Sequence, residues 1–91
     1  MDNNLYEDIS LVLRSPLSLK IMECLKESPK PLAPNQISKS IKLAPSNVST
    51  KMMELRKRNI VECLNPHDKK WRFYKLTDYG IKVLKEVKSS K

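Results

Sequence analysis

The sequence contains one glycine, Gly80, and one histidine, His67. Phosphate-cradling loops need several residues free of a Cβ, so a single glycine excludes them. A single histidine excludes a multi-histidine metal site or paired-histidine chemistry within one chain. The two cysteines, Cys24 and Cys63, cannot supply the disulfide framework of small secreted domains, and they read as small, half-buried apolar residues. Long hydrophobic runs are missing too. Leu11-Val12-Leu13 is typical, against the roughly 20 residues that span a bilayer. Bases are absent before Arg14, while Asp2, Glu7 and Asp8 stand in that stretch, so it does not read as a secretory signal. These absences lead to the expectation of a soluble, cytoplasmic protein with no membrane, metal or cofactor.

What is present is a basic chain of 91 residues, one domain in size. A chain this short supports one modest core and leaves little for a deep substrate cavity. Eighteen Lys and Arg against ten Asp and Glu give a formal net charge of +8. That charge is unevenly placed. Residues 1–13 hold three acids and no base, and Lys39 to Lys75 hold ten bases against Glu54, Glu62 and Asp68, a net of 10 − 3 = +7. Such a surplus suits a polyanion such as nucleic acid, or simply a lysine-rich solvated surface. The architecture decides between them.

Leu5, Ile9 and Val12 fall at i, i+4, i+7 and predict an amphipathic helix over residues 4–13. Ser15-Pro16 reads as an N-cap with proline at the first helical position. Leu17, Ile21, Cys24 and Leu25 line the inner face of this second helix, broadened by Leu19 and Met22, and Ser28-Pro29-Lys30-Pro31 ends it as a loop. Pro34 opens a third, short helix with Ile37 and Ile41 on one side. After Lys42-Leu43-Ala44, Pro45 opens a fourth, with Val48, Met52 and Leu55 turned inward. It runs toward Asn59, a residue that tolerates the left-handed conformation where helices stop. A short helix, a three-residue turn and a longer helix make a helix-turn-helix over 34–59.

A hairpin follows over 60–76. Ile60 to Leu64 reads as a strand, Asn65-Pro66-His67-Asp68 as a turn, and Trp71 to Leu76 as the returning strand, with Tyr74 and Leu76 on the face that closes the core. Trp71 is assigned to cross-strand packing or to an exposed interface. Thr77 caps a last helix, 77–88, in which Ile81, Leu84 and Val87 face inward. The fold class is mainly α with a small β-hairpin, and residues 1–91 form one domain.

In this order and spacing, the sequence resembles the small winged helix-turn-helix transcriptional regulators of the ArsR and MarR types. Ser15-Pro16-Leu17-Ser18-Leu19-Lys20-Ile21-Met22 is similar to their early "SPLRLKIL" helix. Leu32 through Val61 is similar to their helix-turn-helix, and Val61 to Leu64 followed by Tyr74-Lys75-Leu76-Thr77-Asp78-Tyr79-Gly80 to their wing and closing "Y-x-L-T-x-x-G" segment. The chain also departs from the pattern. Ala33 and Ala44 stand where many relatives carry a capping Ser or Thr, at a cost of about 1 kcal/mol per helix that the following prolines partly offset. Lys42 takes the place of the turn glycine and Trp71 that of the wing glycine. Glu23-Cys24-Leu25 offers one thiolate where the metal-sensing ArsR motif has more. The resemblance implies the fold and DNA binding, and not metal sensing.

Helix-turn-helix proteins place the second helix in the major groove. Here that recognition helix is 45–58, and its outward side carries Ser46, Asn47, Ser49, Thr50 and Met53, with Lys51 at the flank. Asn47 is the residue best suited to a base edge, since an amide pairs bidentately with adenine; Met53 suits a thymine methyl group. Local capping of the helix start is the competing role for Ser46 and Asn47. Lys69, Lys70 and Arg72 on the wing suit phosphates or the minor groove. Lys39, Lys42 and Arg56 are secondary phosphate candidates, whereas Lys57 and Arg58 read as solvated. His67 reads as an exposed turn residue. The expected partners are double-stranded DNA and a second copy of the chain, paired through the first and last helices.

An enzyme is not expected. Cys63 and His67 are four residues apart with no third orienting group, and a zinc site from Cys24, Cys63, His67 and Asp68 would need residues from a helix and the wing to converge. The other reading is a winged-helix protein-interaction module of a transcription or replication assembly, because fold does not dictate function.

Overall fold

The computed structural model describes residues 4–89. Asn4 starts the first helix, α1 (Leu5–Leu13), by accepting the Glu7 N–H on its side-chain oxygen at 3.1 Å. Ser15 does the same for α2 (Pro16–Glu27), accepting the Ser18 N–H at 3.3 Å, with Pro16 at the first helical position as the sequence predicts. Ser28 closes α2 in extended backbone ahead of Pro29.

The two central helices, α3 (Pro34–Ile41) and α4 (Pro45–Lys57), have alanine at their N-caps and no side-chain acceptor there. At α3 a different group takes over part of the task. Gln36 reaches back and accepts the Ala33 N–H at 2.8 Å, one half of a capping box. Between the helices, Lys42 adopts a left-handed φ of 59°. Its neighbour Leu43 donates its N–H to the Ser38 carbonyl at 3.1 Å, and the buried Ser38 hydroxyl donates to the Leu43 carbonyl at 2.7 Å. These two bonds hold the turn in shape although the glycine is missing. Asn59, with φ 64°, stops α4 as its residue type predicts, and the Ile60 N–H closes back on Leu55 at 2.9 Å.

The wing is shorter than the sequence suggests. Strands β1 (Val61–Cys63) and β2 (Tyr74–Leu76) pair antiparallel in the register Val61↔Leu76, Glu62↔Lys75, Cys63↔Tyr74. Leu64 still donates its N–H to the Phe73 carbonyl at 2.9 Å, but the ladder goes no further, because side chains hold the Phe73 N–H and the Trp71 backbone. Asn65 accepts the Phe73 N–H at 2.8 Å and donates to the Trp71 carbonyl at 2.5 Å. The segment after Pro31 also does more than connect helices. Leu32 exchanges two backbone hydrogen bonds with Tyr74, at 3.0 and 2.8 Å, which pins the base of the wing to the start of the helix-turn-helix.

Thr77 begins the last helix, α5 (Asp78–Ser89), accepting the Gly80 N–H at 2.8 Å and donating to the Asn59 carbonyl at 2.6 Å. Gly80 is buried against the Ile60 peptide. A Cβ there would stand 2.0 Å from the Ile60 oxygen, so the glycine is required by contact. Val83, Leu84 and Val87 face inward, while Ile81 is 39% exposed. The expectation for Ile81 is thus corrected: because Gly80 sets the close approach, Val83 takes the inner place three residues on.

The core joins Ile21, Met22 and Leu25 of α2, Ile37 of α3, Val48, Met52 and Leu55 of α4, Ile60 and Val61, Tyr74 and Leu76, and Val83, Leu84 and Val87 of α5. The predicted stripes of α2 and α4 are therefore the buried ones, and Cys24 and Cys63 are half-buried at its edge. Five helices and a two-stranded hairpin before the last of them make a winged helix-turn-helix.

Among the described residues one buried side chain is charged. Asp8 is 1% exposed and lies on the same side of α1 as Leu5, Ile9 and Val12. Its carboxylate accepts the Arg58 Nε–H at 2.5 Å and the Tyr79 hydroxyl on its other oxygen. Glu7 adds an ion pair to Arg58 at 3.0 Å. Arg58, read from the sequence as solvated, is instead the cap of α4 and ties that helix to α1. The hydrogen bond to Asp8 holds its guanidinium above the ordinary arginine pKa. Burial, followed by the bond to Asp8, pushes the Tyr79 hydroxyl up to about 12.

Candidate nucleic-acid interface

The inward stripe of Val48, Met52 and Leu55 fixes which side of α4 meets solvent. Ser46, Asn47, Ser49, Thr50 and Met53 are all exposed on it, Met53 at 47%. Ala44 occupies the cap and accepts the Asn47 N–H with its carbonyl at 3.1 Å. Neither the Ser46 nor the Asn47 side chain is used in capping, so both remain available. Thr50 differs. Its hydroxyl donates to the Ser46 carbonyl at 3.0 Å, leaving its lone pairs to accept from an outside donor. Lys51 is also engaged, in an ion pair with Glu54 at 2.8 Å.

The backbone of the wing tip is shaped by Asp68. Its carboxylate accepts the backbone N–H groups of Lys70 at 2.8 Å and Trp71 at 2.9 Å, and these two bonds lower its pKa below the usual carboxylate value. Arg72 donates its Nε–H to the Asp68 carbonyl at 3.0 Å. The tip thus presents Lys69 and Lys70 exposed and Arg72 half-buried.

Ser49 and Met53 of α4, Pro34 of α3 and Lys69, Lys70 and Arg72 of the wing line one open groove of about 320 Å³. A smaller recess of about 150 Å³ adjoins it, between Asn35 at the start of α3 and Trp71. The structure therefore brings the wing cations together with the middle of α4. Lys39, Lys42 and Arg56 line neither space. Lys39 and Lys42 are exposed on α3 and its turn, and Arg56 is half-buried in the last turn of α4. Of the ten bases between Lys39 and Lys75, Lys51, Arg58 and Lys75 have ion-pair partners among the described residues, leaving 10 − 3 = 7 without one.

Sequence reasoning missed Pro34 and Asn35 as part of this surface, together with the Asn65 and Asp68 side chains that shape the wing. An Asn and an Asp flanking a proline turn are the signal for such side-chain-to-backbone bonds. Trp71, assigned to cross-strand packing or to an exposed interface, is 50% exposed. His67 is exposed on its turn. Among the described residues no group of three His, Cys, Asp or Glu side chains could hold a metal ion, and no helix is long and apolar enough to cross a membrane.

This geometry, a polar helix face beside a cationic hairpin, belongs to the winged-helix class. Solved structures with the same fold include the transcriptional repressor CouR bound to a 23-mer DNA duplex. Its TM-score is 0.70 at 20% identity, over 93% of this chain and 63% of that one. A mutant of Staphylococcus aureus MepR bound to an oligodeoxyribonucleotide matches with TM-score 0.75 at 17% identity, over 94% of this chain and 67% of that one. The transcriptional repressor BigR from Xylella fastidiosa matches with TM-score 0.73 at 23% identity, over 92% and 80%. The structural neighbours are thus winged-helix transcriptional repressors of the MarR and ArsR type rather than enzymes, and the chain spans less than two thirds of the CouR chain. Neither a protein-family model nor a curated protein sequence matches this chain.

Proposed function

We propose that the chain is a sequence-specific, double-stranded DNA-binding transcriptional regulator. The observation that carries this reading is the groove in which Lys69, Lys70 and Arg72 face Ser49 and Met53 of α4. An exposed helix start with free Ser46 and Asn47 side chains suits the major groove, where an amide can pair with adenine. The wing cations suit the adjoining phosphates or minor groove. Lys39, Lys42 and Arg56 serve as outlying phosphate contacts, and Thr50 accepts rather than donates. Lys51 contributes once its bond to Glu54 opens. The fold shared with repressors solved on DNA supports the same reading.

The chain acts as a homodimer, in this reading, because one wing and one short helix offer few phosphate contacts. Two copies would address half-sites about 34 Å apart. The exposed apolar side chains Tyr6 and Leu13 of α1 and Ile81 of α5 are the surface for that pairing. Sedimentation at micromolar concentration, with and without DNA, gives a dimer mass if this holds and a monomer mass in both cases if it does not.

The test of DNA binding is the salt dependence of affinity for a labelled duplex. Phosphate neutralisation predicts a steep linear fall of log K with log salt. The double change Lys69→Ala and Lys70→Ala should flatten that slope by about 1.8, or 0.9 per phosphate contact removed. An unchanged slope removes the wing from the interface, and no salt-dependent binding at all would favour a protein partner instead.

A further inference from the structure

Trp71 stands out at the wing tip as a large apolar side chain left half in solvent, at 50% exposure. Its position is built rather than loose. Its N–H is held by the Asp68 carboxylate at 2.9 Å and its carbonyl by the Asn65 side chain at 2.5 Å. Both are backbone bonds, so any residue at 71 other than proline would keep them, and the indole itself is not needed to shape the loop. Trp71 lies at the recess between the wing and α3, with Asn35, Ser49, Lys70 and Arg72. The one carboxylate in the loop, Asp68, accepts the Lys70 and Trp71 N–H groups on a single oxygen and attracts Arg72, whereas Lys69 and Lys70 have no ion-pair partner among the described residues.

The geometry points to Trp71 as a DNA-contacting residue whose indole packs on a deoxyribose of the strand facing the wing, with Lys70 and Arg72 on the flanking phosphates. This rests on the DNA-binding reading and adds to it the apolar part of the wing contact. Each sugar in a strand is an apolar C–H surface between two negative charges, and Lys70-Trp71-Arg72 offers the complementary order of charge, apolar ring and charge at one recess. Indole rings are suited to this setting, since they bury a large surface with little loss of side-chain freedom. The contact carries no base information, so it strengthens binding to every sequence alike.

Trp71 is the chain's single tryptophan, so its fluorescence reports this contact directly. A fluorescein-labelled duplex about three helical turns long, ~30 base pairs, is titrated at low salt, and binding is read from the label's anisotropy. Saturating unlabelled duplex should then shield Trp71 from acrylamide quenching. Trp71→Ala should weaken binding about tenfold, as truncation of one interface aromatic does, with the salt slope unchanged because no counterion is released by an apolar contact. Trp71→Phe should recover most of the loss. If the duplex binds yet acrylamide reaches Trp71 as before, or Trp71→Ala binds like the parent, the assignment is overturned while DNA binding stands. If the anisotropy never rises, both fall together.

Discussion

Replacing Arg58 by Met keeps an apolar stem beside α1 but removes the cation from Asp8. The carboxylate is 1% exposed and would keep only the Tyr79 hydroxyl as a partner. Breaking a buried ion pair by removing one member costs about 3–5 kcal/mol, because the remaining charge stays out of water unpaired. The Arg58 side chain is 30% exposed, so water reaches that side of the pair and lowers the cost. The Glu7 pair lost with it is at the surface and adds about 0–1 kcal/mol. The expected net loss is about 2–3 kcal/mol, a large share of the ~5–14 kcal/mol typical of a domain this size. In a thermal melt it corresponds to a fall of about 10–20 °C. Urea unfolding followed by far-ultraviolet circular dichroism, at one fixed protein concentration, measures it. A second change decides the mechanism. Asp8→Asn removes the stranded charge and keeps an acceptor for Tyr79, so the double variant Asp8→Asn, Arg58→Met should be more stable than Arg58→Met alone. A loss below about 0.5 kcal/mol for the single variant, where a broken buried pair should cost several, would refute the reasoning. So would a double variant weaker than the single one.

Gly80→Ala should destabilise by about 1–2 kcal/mol, since the added Cβ meets the Ile60 backbone oxygen at 2.0 Å and overpacking at the top of its usual range outweighs the roughly 1 kcal/mol gain in helix propensity; urea unfolding checks this. Tyr79 titrates near its ordinary 10 when unfolded and about 12 when folded, so its contribution is intact below pH 10 and is lost as pH rises from 10 toward 12. Comparing urea midpoints at pH 8 and 11 should therefore show a smaller decline for Tyr79→Phe than for the parent, and equal declines would contradict the assignment. Asn47→Ala should broaden the sequences recovered by selection from a random duplex pool while leaving non-specific affinity within about twofold; an unchanged profile would exclude base reading by Asn47.

Much of the fold was legible because local rules and burial agree. Ser15-Pro16, Pro34, Pro45 and Asn59 mark helix ends by backbone chemistry that needs no distant partner, and the stripe Val48, Met52, Leu55 has one spacing to read. The outer face of α4 follows from the same stripe. What escaped depended on partners far away in sequence. Asp8 meets Arg58 and Tyr79, fifty and seventy-one residues on, and no local pattern names those partners. A signal was nevertheless present, for Asp8 falls within the helical stripe Leu5, Ile9, Val12, where an acid calls for a buried partner. The wing strands came out too long because aromatic residues favour strands, while Asn65 and Asp68 competed for the same backbone groups. Ile81 and Val83 differ by two positions on α5, and only the approach to Ile60 chooses between them.

The chain places its one glycine where a neighbouring peptide leaves no room, and lysine and asparagine at Lys42 and Asn59, where the backbone itself is left-handed. Mutational tolerance should follow this division. At position 80 every replacement adds a Cβ, so a saturation library ranked by stability should place glycine first, with alanine next and larger residues depleted. At positions 42 and 59 the same library should be enriched in glycine over the parent residues, because only the local backbone cost is at issue. A lysine kept at position 42 against that gradient would mark a side chain retained for its charge.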